Sequence, residues 1–82
     1  MLKTIPIKIA EIYVPSAHRK GLDQSKIDSI AEAMIEGEQE KPIRVRQGKG
    51  RFVLIEGVHR LEASKALGEE TIGAYIVQAR KF

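Results

Sequence analysis

The segment Leu54-Ile55-Glu56-Gly57-Val58-His59-Arg60 places an apolar run, a carboxylate, a glycine and two basic side chains within seven residues. A strand that ends in glycine and turns into a helix leaves the first helical N–H groups free, at the positive end of the helix dipole. An anion can bind there, and glycine lets it approach the backbone. His59 and Arg60 add side-chain donors at the same point, and the planar arginine fork suits phosphate oxygens. Helix stability alone favours acidic residues in a first turn, because cations there oppose the dipole by about 0.3–1 kcal/mol. An anion ligand explains the basic pair better than helix design does. Glu56 precedes the glycine and is a carboxylate able to hold Mg²⁺ or to act as a base. The other glycine-rich stretch, Gly48-Lys49-Gly50, lacks the spacing of a phosphate-binding P-loop.

The elements that must hold this turn are legible in the hydrophobic pattern. Ile5, Ile7 and Ile9 alternate with Pro6 and Lys8 as in a half-buried strand, and Pro6 confines that strand to an edge. Residues 10–21 read as irregular, punctuated by Pro15 and Gly21. Asp23 is an N-cap for a helix over 24–36 that ends at Gly37. Ile27, Ile30, Ala31, Met34 and Ile35 form its core-facing stripe, and Lys26, Ser29 and Ala33 occupy the neighbouring lane. Strands are predicted over 43–47 and 51–56, joined by a hairpin turn at Gly48-Lys49-Gly50. The second strand is apolar on both faces and is expected to be central. A short helix follows over 58–67, with Ala63, Ala66 and Leu67 as its buried face and Gly68 as its stop. A last strand is predicted over 71–78. The whole reads as one small α+β domain spanning residues 1–82, a mixed sheet with one long and one short helix.

Composition narrows the chemistry. The 82 residues contain no cysteine, which excludes disulfides, thiolate metal sites and thiol catalysis. Two histidines, His18 and His59, lie far apart in sequence, so a dedicated zinc site is not expected. The net charge of +3 fits a binder of phosphates or nucleic acid, and equally an ordinary soluble domain. No apolar run approaches the roughly 20 residues that span a bilayer, and the first residues lack a signal peptide's apolar core. A cytoplasmic protein is expected. So small a domain has a thin core, to which a bound ligand or a partner subunit, including a second copy, adds materially.

The segment from Glu56 to Arg60 resembles the strand-to-helix turn of the ParB/sulfiredoxin superfamily. ParB N-terminal domains carry Gly-Glu-Arg-Arg there, sulfiredoxin Gly-Cys-His-Arg, and free serine kinases Asp-Gly-His-His-Arg. The likeness extends along the chain. Leu22-Asp23-Gln24-Ser25-Lys26-Ile27-Asp28-Ser29 resembles sulfiredoxin's Leu-Asp-x-x-Lys-Val-x-Ser. Pro42-Ile43-Arg44-Val45 resembles the shared Pro-Ile-x-Val strand, and Thr71-Ile72-Gly73-Ala74 resembles Thr-Ile-Pro-Ala. The resemblance implies the ParB/sulfiredoxin fold and a nucleoside triphosphate, ATP or CTP, as ligand. Carried over by position, the nucleotide-binding residues are Lys26, Ser29, Gly57, Val58, His59 and Arg60. Val58 stands where sulfiredoxin has its nucleophilic cysteine and ParB its glutamate, so sulfinic acid reduction is excluded and weak or absent nucleotide hydrolysis is implied. Glu56 matches the aspartate of the serine kinases, which marks it as a candidate catalytic residue and Mg²⁺ ligand. The catalytic glutamate of those kinases has no counterpart in Ser16-Ala17-His18-Arg19.

Three readings stay open on the sequence. One is a regulatory or plasmid-partition module that binds nucleotide and works with DNA or a DNA-binding protein. Another is a small metal-dependent phosphotransferase or nuclease using Glu56. A third is direct DNA binding through Arg44, Arg46, Lys49 and Arg51 on the hairpin, charges that a solvated sheet face would also carry.

Overall fold

The computed structural model describes residues 3–38 and 41–77. Strand β1 (Ile5–Lys8) leads through a 3-10 turn at Ile9–Glu11 into β2 (Ile12–Tyr13), and a four-residue helix, α1 (Ser16–Arg19), follows. Helix α2 (Gln24–Ile35), strands β3 (Ile43–Gln47) and β4 (Phe52–Glu56), helix α3 (Val58–Ala66) and strand β5 (Thr71–Ile76) complete the order. The strands form one mixed sheet in the order β1-β5-β3-β4-β2.

The elements arise where the pattern placed them, with three differences. The segment expected to be irregular holds the 3-10 turn, the two-residue β2 and α1. These are too short to leave a periodic signal. The α2 stripe is also less deeply buried than its periodicity suggests. Only Ile27 is buried, and Ile35 is 71% exposed. Helix α2 packs mainly on α3 rather than on the sheet, and a nine-residue helix covers only part of a 12-residue one. Finally, α3 buries Leu61, Ala63 and Ser64 in place of the expected Ala63, Ala66 and Leu67; Ala66 and Leu67 are exposed. This helix lies between sheet and α2, so it must bury two sides.

The core has one side of the sheet as its floor. Ile7, Ile43, Val45, Leu54, Ile72 and Ala74 point to that side and meet Leu61 from α3 and Val14 from the β2–α1 connection. Strand β4 is interior, between β3 and β2, as its apolar run requires. Strand β1 is at the edge and pairs only with β5, so the missing N–H of Pro6 disrupts no ladder on its free side.

Period-two alternation and the pairing register define the opposite face. It carries Pro6 and Lys8 from β1, Thr71, Gly73 and Tyr75 from β5, and Arg44 and Arg46 from β3. Val53 of β4 stands opposite Arg46, and Tyr13 of β2 stands beside Val53. The helices cover the other side.

Leu61 has no exposed surface and touches the floor of the core. Leu61→Ala is expected to cost roughly 2–5 kcal/mol, a large part of the ~5–15 kcal/mol that stabilises an ordinary domain. Equilibrium urea unfolding checks this. A midpoint close to that of the wild type would show that α3 is not part of the cooperative core.

Candidate functional site

Strand β4 does not run regularly into the turn. Val45 pairs with Leu54, but Arg44 pairs with Glu56, so Ile55 is an extra residue in the β4 edge. A bulge of this kind re-aims side chains. Here Ile55 and Glu56, which would alternate between faces in a regular strand, both border the same cleft.

Gly57 then turns the chain. Its φ is +106°, in the left-handed region, and it caps α3. A Cβ at this position would lie 2.7 Å from Cγ2 of Ile43 and 3.0 Å from its Cβ. Conformation and space each demand glycine. The first helical hydrogen bond runs from the Leu61 N–H to the Gly57 carbonyl at 3.0 Å. The N–H groups of Val58, His59 and Arg60 precede it and have no partner within the helix.

The cleft in front of this turn measures about 520 Å³, within the usual range for small-molecule sites. Val58, His59 and Arg60 line it from α3, and Ile30 from α2. Pro42 and Lys41 contribute from the approach to β3, and His18 from α1. Val58 also packs on the core. Four nitrogen-bearing side chains thus face one carboxylate, that of Glu56.

His59 and Arg60 do more than border the cleft. Nε2 of His59 accepts a hydrogen bond from the backbone N–H of Asp23, the N-cap of α2, at 3.0 Å. An accepting Nε2 carries no proton, which leaves Nδ1 as the donor of the neutral ring. Arg60 reaches the opposite end of α2. Its Nη1 donates to Sδ of Met34 at 3.1 Å and also to Oγ of buried Ser64. Consecutive residues on α3 therefore fasten both ends of α2. Among the described residues the buried Nε of Arg60 has no hydrogen-bond partner. An orphaned buried donor is costly and calls for an acceptor.

The N-terminus of α2 is stabilised independently. The Asp23 carboxylate accepts from Oγ of Ser25 at 2.7 Å and from its N–H at 2.9 Å. Those bonds, the side-chain one foremost, hold its pKa below the ordinary 3.8. Lys26 and Ser29 are exposed on α2 and lie outside the residues that line the cleft. Ile30, one helical turn beyond Lys26, is the α2 residue that does line it.

Of the residues singled out in the sequence, Glu56, Gly57, Val58, His59 and Arg60 come together in the cleft. His18 and Lys41 are additions. His18 sits on a helix too short to announce itself, held in place by Arg19, whose Nε and Nη2 donate to the Val14 carbonyl at 3.2 and 3.0 Å. The sequence separation of the two histidines concealed that they border one cleft. Among the described residues no group of three or more His, Asp or Glu is placed to hold a metal ion by itself.

The sequence matches the family model of the ParB N-terminal domain over residues 2–81. The chain belongs to the ParB N-terminal domain family. It is 40% identical over 62 residues to the probable chromosome-partitioning protein ParB of Campylobacter jejuni. That match takes in 76% of this chain and 22% of the relative, so the chain spans about a fifth of that protein's length. Sulfiredoxin from Arabidopsis thaliana has a similar structure, with a TM-score of 0.82 at 25% identity over 94% of this chain and 86% of that one. The C-terminally truncated chromosome-partitioning protein ParB from Caulobacter crescentus, complexed with CTP-γ-S, gives a TM-score of 0.80 at 17% identity. The comparison covers 96% of this chain and 46% of that one. The ParB/sulfiredoxin-like α+β fold expected from the motifs is the fold observed. No helix among the described residues is long and apolar enough to cross a membrane.

Gly57→Ala should destabilise the protein. The added Cβ must displace Ile43 from the core, and overpacking of this kind costs ~1–3 kcal/mol beyond the ~1–2 kcal/mol of a left-handed non-glycine residue. Thermal unfolding reads the effect. An unchanged Tm would mean that the turn relaxes freely and that the contact with Ile43 does not constrain it.

Proposed function

We propose that this ParB N-terminal domain binds a nucleoside triphosphate, ATP or CTP, with its phosphates at the first turn of α3. The observation that carries the reading is the turn itself. Gly57 has neither the space nor the conformation for a side chain, and three backbone N–H groups without helical partners follow it. Arg60, which lines the cleft, supplies a further charged donor group. Lys41 and His18 add positive or donor groups to the same cleft, and Ile30, Pro42 and Ile55 give an apolar wall for the rest of the ligand. The CTP-γ-S complex of the Caulobacter ParB, which shares the fold, supports a nucleotide in this role. Lys26 and Ser29, exposed along α2, belong to the proposed site as outer contacts to the nucleotide. Membership of the ParB family supports a regulatory module of a DNA-partition apparatus as the setting.

Mg²⁺ fits as a companion of the phosphates. This ion is commonly held by one or two carboxylates together with phosphate oxygens, and Glu56 is the carboxylate that borders the cleft. It would neutralise phosphate charge there.

Calorimetric titration with ATP, CTP and GTP, with and without Mg²⁺, tests the proposal. Charge-assisted hydrogen bonds contribute roughly 1.5–3 kcal/mol each, so Arg60→Ala should weaken binding by about tenfold or more. Equal affinity in the variant, with helix content unchanged by circular dichroism, would place the phosphates elsewhere.

Turnover should be slow. Binding needs only the cradle, whereas rate enhancement needs a group that acts in the transition state. Val58 packs against the core at the position where the resemblance places a cysteine or a glutamate, and it has no chemistry to offer. Phosphate release at saturating nucleotide and Mg²⁺ is expected near background for wild type and for Glu56→Gln. Robust release that Glu56→Gln abolishes would make the domain a phosphotransferase or hydrolase.

A further inference from the structure

The two sides of the sheet differ in charge. The helical side mixes both signs: Asp28 and Glu32 lie on α2 with Lys26, Glu36 caps it, and on α3 Glu62 pairs with Lys65. The side of the sheet facing away from the helices carries Lys8, Arg44 and Arg46, all exposed, and among the described residues the register places one carboxylate there, that of Glu56. Glu56, opposite Arg44 across the bulge, marks where this face meets the cleft. Tyrosines accompany the cations. Tyr75 of β5 stands beside Arg44, and Tyr13, 39% exposed, lies on the row that includes Arg46. The guanidinium of Arg51 sits over the Tyr13 ring, 4.1 Å from its centroid. Of the hairpin cations, Arg44 and Arg46 belong to this face, Arg51 joins it through that stack, and Lys49 occupies the turn.

From this charge complementarity we infer that the sheet face turned away from the helices binds single-stranded nucleic acid, with phosphates on Arg44 and Arg46 and bases on the tyrosine rings and the Arg51 plane. Alternate residues of a strand are roughly 6.5–7 Å apart, and neighbouring strands about 4.8 Å apart. The two arginines and two tyrosines therefore fit within a patch about 14 Å across, three strand spacings. Single strands bind to such surfaces: a positive track for the backbone, with aromatic and arginine planes on which any base can stack. A duplex keeps its base faces inside the stack, where these rings cannot reach them, so a single strand is the occupant that uses both features. This surface adjoins the cleft at Glu56 but shares none of its basic residues, and it does not depend on nucleotide binding there.

Fluorescence anisotropy of labelled dT15 and rU15 with the full chain tests the inference, and its DNA and RNA arms identify which strand is preferred. Binding should weaken as salt rises, with a log–log slope of about −1.4 for two neutralised phosphates. The double substitution Arg44→Glu and Arg46→Glu should weaken binding at least tenfold at low salt, while Lys65→Glu on the helical side leaves it unchanged. Tyr13→Leu, which keeps an apolar side chain but removes the ring, should weaken binding by roughly five- to a hundredfold. The pair Arg44→Gln and Arg46→Gln, with circular dichroism, separates loss of binding from loss of fold. Saturating ATP or CTP should not displace the oligonucleotide. Displacement would put the oligonucleotide in the cleft and overturn the inference. So would tighter binding of a 15-base-pair duplex, equal competition by poly-glutamate of matched charge, or no binding at low salt.

Discussion

The backbone of Gly57 lies against the side chain of Ile43 more closely than any residue with a Cβ would allow. That approach sets where α3 begins relative to β3, and the rest of the site follows from it. With the first turn of α3 held on the sheet, His59 comes within hydrogen-bond distance of the Asp23 N–H, and Arg60 within reach of Met34. Both ends of α2 are fastened by residues that the same turn positions. Leu61, the next residue, enters the core between α3 and the sheet. A helix whose own stripe is only partly buried thus gains its placement from a neighbour whose start is fixed by a missing side chain. The bulge at Ile55 acts on the other side of the glycine, giving the cleft both an apolar and an acidic wall from adjacent residues.

Much of this was legible because the signals are local. Alternation placed β1 and β3, a run apolar on both faces placed β4, the caps at Asp23 and Gly37 bounded α2, and Pro6 placed β1 at an edge. The glycine followed by His59-Arg60 located the cleft. What stayed hidden depends on contacts between distant parts of the chain. Nothing near His18 in the sequence indicates that α1 brings it to the same cleft as His59. Periodicity identifies a stripe on α2 but cannot say that α3, rather than the sheet, will cover it. The register shift between Arg44 and Val45 has no compositional mark, because Ile55 reads as an ordinary member of an apolar run.

The basic pair also has a second purpose that a reading of isolated helix turns misses. Cations in a first turn oppose the helix dipole, and an anion ligand is one compensation. Packing is another. His59 is an acceptor in its bond to Asp23, which satisfies the N–H of a helix cap, and Arg60 satisfies the buried hydroxyl of Ser64. The two side chains are structural clasps and cleft walls at once. Truncating either changes the seat of α2 as well as the ligand surface, and for that reason helix content must accompany any affinity measured on the Arg60 variant.

The two purposes need not compete. Arginine has five N–H donors in a rigid fork. Nη1 serves Ser64 and Met34, whereas Nε, buried, serves nothing among the described residues. An acceptor that engaged Nε would relieve an unsatisfied donor without drawing Nη1 away from α2. His59 likewise keeps Nδ1 while Nε2 accepts from Asp23. Each clasp leaves donors without a partner among the described residues, Nε and Nη2 on Arg60 and Nδ1 on His59, and both residues line the cleft. The fastening that holds α2 in place thus also restricts the rotamers of two residues that line the cleft, so less of their side-chain entropy remains to be lost on binding.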